Sequence, residues 1–354
     1  MLLTGLCCGR LGAVRCNVVV EQDVDVVGVG NAIVDVIARS SEQFLVEQQL
    51  TKGSMLLIDE DRANELYRMI TPEVQASGGS VANTVAGVAS FGGNASFIGK
   101  VTDDHLGDIF AEDMRSLGVG FDVPHSRGGP PTARCMILVT PDAQRTLNTY
   151  LGVSVMLEPA DVDPATVAAA NILFCEGYIW DVESAKQAVR KAMAVSADAG
   201  RKVSLTLSDT FCIDRHHQEF LDLVTGPVDI LFANRAELTH LYQCDLDTAI
   251  RRVADEVELS FVTLGADGSR IVHDGSVIEI MPEHLGDVVD TTGAGDQYAA
   301  GALYGVSRGL PLAEAGRIGS LAAAEVISHM GPRPLRPLSD FLDWPASTSS
   351  APSY

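Results

Sequence analysis

Beyond residue 159 the chain alternates short apolar runs with helical stretches, and this alternation restricts the fold more than any other feature. The apolar runs fall at 172–175, 203–207, 230–233 and 261–264. Runs this short and this continuously apolar read as strands buried on both faces, with the intervening helices supplying the cover. The expectation is an α/β protein with a mostly parallel central sheet. A length of 354 residues suits one large α/β domain with a sub-domain, or two domains.

The N-terminal half departs from this rhythm. Residues 25–35 read as a buried first strand running into a polar turn. Residues 41–50 and 61–70 have amphipathic helical spacing, and 53–59 reads as a strand. From 118 to about 152 there is little helix. Short β-like runs at 134–140 and 145–150 flank a Pro141-Asp142 turn. These segments, with the 53–59 strand, read as a small sheet set apart from the main body, a lid carrying the cation Arg145.

The chemistry concentrates in Asp290-Thr291-Thr292-Gly293-Ala294-Gly295-Asp296. Val288 and Val289 lead in like the end of a strand. The following stretch, 297–308, has helical spacing and ends at Gly309, where a C-terminal glycine belongs. Unpaired amides at such a helix start lie at the positive end of the helix dipole and form an anion site without a lysine. Gly293 and Gly295 lack a Cβ, so a phosphate can approach the backbone. Asp296 then stands inside an anion site. Its chemical use there is to take a proton from a hydroxyl that attacks the phosphate. The alternative is a carboxylate that only caps the helix.

Other polar groups recur at the ends of apolar runs. Asn31 and Asp35 would share one side of the first strand if it continued, which suits a polyol or ribose; a turn Asn and a surface Asp is the alternative. Gly78-Gly79 meets a helix start with Asn83 one turn in. That helix is small-sided (Ala82, Ala86, Gly87, Ala89), as if packed close to something. Asn234 and Glu237 stand at i, i+3 after the 230–233 strand, where they would serve a magnesium shell or a helix cap equally well. The turn Gly265-Ala266-Asp267-Gly268-Ser269 lies against a nucleotide or is a hairpin.

Several classes are excluded. A dinucleotide fingerprint needs a glycine where Ile33 stands, and the Walker A spacing fails around Gly93 to Lys100, with Val101 in place of Ser or Thr. No nucleophile elbow occurs, and none of the eight histidines has metal-ligand spacing; His216-His217 reads as a solvated pair. The net charge of −22 argues against nucleic acid and anionic membrane, and no apolar run approaches the roughly 18 residues of a membrane span. Cys7, Cys8, Cys16, Cys135, Cys175, Cys212 and Cys244 are odd in number and lack CxxC spacing. They read as cytosolic thiols, so a cytoplasmic protein is expected. Residues 1–22 read as an extension, 23–340 as the folded domain with its lid at about 36–59 and 118–152, and 341–354 as a disordered tail.

Taken together, the glycine pair with Asn83, the Asn234-x-x-Glu237 pair, the glycine turn at 265–269 and the 290–296 heptad resemble the ribokinase-like, or PfkB, family of carbohydrate and nucleoside kinases, over residues from about 25 to 338. The resemblance implies a three-layer α/β/α sandwich with a small β-sheet lid. It implies a phosphotransferase using ATP and Mg2+ on an alcohol acceptor, a small molecule, with Asp296 as general base. It assigns Gly293, Ala294 and Gly295 to an anion hole and Asn31, Asp35, Gly78, Gly79 and Asn83 to the acceptor. Arg145, Asn234, Gly265, Asp267 and Gly268 would meet ATP or its phosphates, and Glu237 would hold magnesium through water. Asp290 and Thr292 would belong to a monovalent-cation site that K+ fills, with backbone carbonyls near Gly331. The long first lid segment and the Asn31-x-x-x-Asp35 spacing look like adenosine kinases and their bacterial nucleoside- and sugar-kinase relatives, although Thr292 replaces an Asn of the animal enzymes. Phe44, Met136 and Tyr178 are the candidates to wall a purine. Adenosine phosphorylated on its 5′-hydroxyl is the expected reaction. A sugar kinase of the same family and a non-catalytic nucleotide-binding protein are the alternatives, and either a monomer or a homodimer fits.

Overall fold

The computed structural model describes residues 24–142 and 144–343. Its strands in chain order are β1 (Val24–Val29), β2 (Ile33–Arg39), β3 (Met55–Leu57), β4 (Val74–Gly78), β5 (Ala95–Ile98), β6 (Val119–Gly120), β7 (Ala133–Val139), β8 (Arg145–Tyr150), β9 (Ala170–Glu176), β10 (Lys202–Thr206), β11 (Ile230–Asn234), β12 (Leu259–Thr263), β13 (Ser269–His273) and β14 (Ser276–Ile280). They form two sheets. The large one runs β14-β13-β12-β11-β10-β9-β1-β5-β6 and the small one β3-β8-β7-β2-β4. From β12 to β6 the large sheet is parallel; β13 and β14 close one edge as an antiparallel meander.

The parallel strands are buried along nearly their whole length, as their unbroken apolar runs require. Their side chains join those of the covering helices in one core that extends from Val26 to Leu303. The order of strands reverses at β1, which has β9 on one side and β5 on the other. In an open α/β sheet, ligands bind beyond the carboxyl ends of the strands at that switch.

Between β1 and β2 the chain leaves the large sheet for the small one. Asn31 therefore lies in the crossing, in the polar turn expected after the first strand, while Asp35 lies within β2, so the two do not share one continuous strand. Gly30 to Ala32 are buried where the two sheets meet, and β2 finds its partners in β4 and β7. The small sheet thus recruits β2 and β4 in addition to the strands expected from 53–59, 134–140 and 145–150. The 118–132 segment instead gives β6 to the large sheet. Val288 and Val289 are 65% and 51% exposed and form no strand; the amide of Val289 donates to Ile327.

The small-sided helix Ser80–Ser90 packs against Ala294–Ser307. A Cβ at Gly87 would come within 2.3 Å of Gln297 Oε1, so the two helices touch where the small residues lie. At the C-terminal end, Leu338 and Phe341 are fully buried beside Phe91 and Leu321, so the packed body reaches at least Phe341. His216 and His217 are not a solvated pair: His216 Nε2 meets Asp181 at 2.7 Å and His217 Nε2 the Leu241 carbonyl at 2.8 Å. Cys135, Cys175 and Cys212 are buried free thiols. Cys7, Cys8 and Cys16, the N-terminal extension and the tail from Trp344 lie outside the described residues. Among the described residues no helix is long and apolar enough to cross a membrane.

Candidate active site

Two adjoining cavities open between the sheets, of about 460 and 340 Å³, the range of small-ligand sites. They share Gly79, Ser80 and Tyr178. The larger lies along the carboxyl ends of β10 to β12 and the start of the helix Ala294–Ser307; the smaller lies under β3.

Asp296 stands in the first turn of that helix and lines the larger cavity. Ser80 Oγ donates to its Oδ1 at 2.7 Å and Asn83 Nδ2 to its Oδ2 at 2.9 Å. Burial raises its pKa, while these two donors and the nearby Arg333 guanidinium pull it back down. Two residues of the helix Ser80–Ser90 thus orient it, so Asp296 is more than a cap. Gly293 is the N-cap with φ +78°, and a Cβ on Gly295 would meet nothing within 4 Å. Backbone bare of side chain therefore faces the cavity at Gly295. The Ala294 amide is already used, donating to Thr291 O at 3.2 Å. The amides of Gly295 and Asp296, in the first helical turn, lack intrahelical partners, so the unpaired amides at this helix start lie one residue along from the expected 293–295 trio.

Of the residues expected around the acceptor, Asn31 is held by Glu176, which no sequence motif marks. At the end of β9 its carboxylate accepts Asn31 N at 2.7 Å, Asn31 Nδ2 at 2.8 Å and Val81 N at 3.0 Å. Burial pushes this carboxyl up to about 7, against the pull of those donors. Asn31 Oδ1 is left buried with no hydrogen-bond partner. Asp35 lines the larger cavity; burial raises it to about 6, offset by Arg333 and Arg145. Gly79 has φ +102° and sits over the Asn31 carbonyl, which a Cβ would approach to 2.3 Å; only glycine permits this crossing. A Cβ on Gly78 would strike the Asp35 carboxylate at 2.5 Å. The Asn83 side chain serves Asp296, and its Oδ1 accepts Arg333 Nε at 2.7 Å, so it is engaged with protein groups on both sides.

The remaining expected residues sort by position. Tyr178 is 36% exposed, borders both cavities and donates its hydroxyl to Ser208 O at 3.2 Å. Phe44 and Met136 do not reach either cavity: Phe44 packs on Leu45 and Leu138, and Met136 is fully buried beside Ala63 and Leu66. Asn234 and Glu237 form a reciprocal capping box at the end of β11, and both border the larger cavity. Burial raises Glu237 to about 7 despite its bond from Asn234 N. The turn Gly265–Asp267 joins the antiparallel pair β12 and β13 as a hairpin outside the cavity lining; Asp267 pairs with Arg235 at 2.6 Å.

Arg145, on β8, pairs with Asp290 at 2.9 Å. Asp290 Oδ1 also accepts Thr292 N and Oγ1, and Oδ2 accepts Gly331 N at 3.0 Å. Both oxygens are engaged, and the net effect holds the carboxyl below its usual range although burial raises it. The Arg145 guanidinium thus stands beside the carboxylate expected at the monovalent-cation site. Among the described residues no cluster of three or more His, Cys, Asp or Glu is placed to hold a metal ion. Magnesium would suit Glu237, since Mg2+ is commonly held by one or two carboxylates, waters and substrate phosphates.

The family model of pfkB carbohydrate kinases matches residues 57–338. A probable sugar kinase from Rhizobium etli superposes with a TM-score of 0.83 at 46% identity, covering 90% of this chain and 97% of that one. Adenosine kinase from Sinorhizobium meliloti superposes with a TM-score of 0.83 at 48% identity, covering 90% of this chain and 98% of that one. An uncharacterised sugar kinase from Archaeoglobus fulgidus is 30% identical over 255 residues, 70% of this chain and 96% of its own.

Proposed function

Because the chain belongs to the pfkB family of carbohydrate kinases and is a phosphotransferase, we propose that it phosphorylates the 5′-hydroxyl of a purine nucleoside, adenosine foremost, from ATP. The observation that carries the acceptor class is the smaller cavity. Its lining includes the apolar or aromatic Met55, Leu56, Leu57, Leu151, Tyr178 and Phe211, beside the polar Asn31 and Glu176 and the charged Asp181, Asp209 and Arg215. A cavity with this much apolar and aromatic surface next to hydrogen-bonding groups suits a base joined to a ribose. A bare sugar would leave that surface wet.

In this reading Asp296 takes the proton of the attacking hydroxyl as its oxygen bonds to the γ-phosphorus and the bond to ADP breaks. The proton ends on the Asp296 carboxyl. The free amides of Gly295 and Asp296 and the helix dipole meet the charge that builds on the phosphoryl oxygens. Asn31 and Asp35 orient the ribose, with Gly78 and Gly79 giving it room. Glu237 and Asn234 border the nucleotide side, where Mg2+ would neutralise phosphate charge.

The test is ADP release from MgATP against adenosine, inosine, guanosine, ribose and fructose. Selective turnover with a purine nucleoside, lost in Asp296→Asn, is the expected outcome. Turnover with a sugar alone overturns the nucleoside reading and favours a sugar kinase, the second reading. That reading draws its support from the similarity to the Rhizobium etli protein.

A further inference from the structure

We propose that Arg333 is a positioning residue for phosphoryl transfer, fixing Asn83, and through it the carboxylate of Asp296, while tying the end of a small-sheet strand to the same point. The proposal rests on the reading of Asp296 as the base.

Arg333 belongs to no helix or strand; it lies in the segment after the helix Leu312–Ile327. Its Nε donates to Asn83 Oδ1 at 2.7 Å, and Asn83 Nδ2 donates to Asp296 Oδ2 at 2.9 Å. A cation on Oδ1 settles which way the amide faces. Nδ2 must lie against the carboxylate, and a carbonyl oxygen cannot. Ser80 Oγ holds the other carboxylate oxygen, so Asp296 is restrained at both ends.

The second arm of the guanidinium reaches the small sheet. Arg333 Nη2 donates to Ser77 O at 3.0 Å and to Ser77 Oγ at 3.1 Å, next to the last residue of β4. Asp113, on the helix His105–Ser116, holds the same serine through its amide and hydroxyl at 2.8 and 2.6 Å. One planar group thus joins the small sheet to the helix that carries Asn83. A lysine ammonium has no such fork.

The charge suits the place. Burial works against the Arg333 charge and lowers its pKa, while Asp113, Asp35 on β2 and Asp296 favour it. Glu176 on β9 feels Asp296, and Asp35 feels both Arg333 and Arg145 on β8. Arg333 Nη1 is buried without a hydrogen-bond partner, and Pro332 beside it lines the larger cavity. The orphan nitrogen marks a group held for more than packing.

The experiment compares Arg333→Lys and Arg333→Met in the full chain by melting temperature, kcat, KM and the pH profile of kcat, with and without added guanidinium. In the folded variants kcat should fall roughly a hundredfold with little change in KM, the effect of a misplaced reacting group. In Arg333→Met the acid limb should move to higher pH, because Asp296 then faces Asp35 and Glu176 uncompensated, and guanidinium should restore part of the rate. A folded Arg333→Lys with wild-type kcat and pH profile overturns the proposal, as does a loss confined to KM. Should both variants fail to fold, Asn83→Leu breaks the same chain one bond later, and a folded Asn83→Leu with unchanged kcat overturns it equally. Asp296→Asn separates the two readings. If that variant retains turnover the base assignment itself fails, whereas an inactive Asp296→Asn beside a fully active Arg333→Lys sinks only the role of Arg333.

Discussion

The Arg145 guanidinium and the Asp290 carboxylate lie 2.9 Å apart, one on the small sheet and the other at the approach to the helix that carries Asp296. Their side chains are 8% and 10% exposed. Such a pair ties the small sheet to the segment that leads into that helix and occupies the Asp290 carboxylate.

Turnover should therefore be equal with potassium present or absent. Arg145→Ala should lower stability by about 3–5 kcal/mol, the usual result of leaving one member of a buried pair alone. Denaturant unfolding checks the second expectation and steady-state rates the first. A clear potassium activation of the wild-type enzyme would contradict the pairing as the resting arrangement.

Asp296→Asn should reduce kcat about 10²–10⁴-fold, the span of general-base contributions. The amide oxygen can accept from only one of the two donors, Ser80 Oγ or Asn83 Nδ2, so a loss of about 1–3 kcal/mol is expected, with the fold retained. Circular dichroism with single-turnover kinetics distinguishes lost chemistry from lost structure.

Two glycines should respond in opposite ways. Gly79→Ala forces a side chain into φ +102° against the Asn31 carbonyl and should cost about 2 kcal/mol or more. Gly295→Ala meets no protein atom within 4 Å, so the melting temperature should hold. Its methyl group enters the space a phosphate would use, and kcat/KM for ATP should drop on the order of tenfold, about 1.4 kcal/mol.

Stability should fall as pH rises from about 5 to 8. Burial raises Asp35 to about 6 and Glu176 and Glu237 to about 7, from ordinary values of 3.8 and 4.5. A carboxyl raised on folding binds its proton more tightly in the native state. Its contribution is full below the unfolded value and is lost as pH climbs through the folded one. Asp142, held down to about 2 by Lys52 and Thr140, has finished titrating below this window. Melting temperature measured in steps across the range should decline; a rise toward pH 8 would refute the assignment of these three groups.

Much of this architecture can be read from residues alone because its signals are local. The apolar runs at 172–175, 203–207, 230–233 and 261–264 correspond to β9, β10, β11 and β12, and the glycine-rich heptad ends in a helix start. What escaped depends on distant neighbours. The change of sheet after Val29 is driven by partners β4 and β7, which local periodicity does not reveal. Glu176 follows an apolar strand and looks like a chain-end carboxylate until Asn31 and Val81 are folded against it. Arg333 sits in a proline-flanked segment with no periodic signal, and Ser80 is merely the residue after a glycine pair. Phe44 and Met136 were plausible walls on chemistry but belong to the packing of the small sheet.

The crossing from β1 to β2 spans only Gly30 to Ala32, and the return from β4 to the helix Ser80–Ser90 passes through Gly79, stacked on the Asn31 carbonyl. Two of the chain's passages between the sheets therefore meet at the same few peptide units, beside Asn31 and Gly79, both of which border the smaller cavity. On the proposed reading, a molecule lodged there would press on that junction like a wedge, so an ill-fitting acceptor would disturb the gap between the sheets as well as the distance to its hydroxyl.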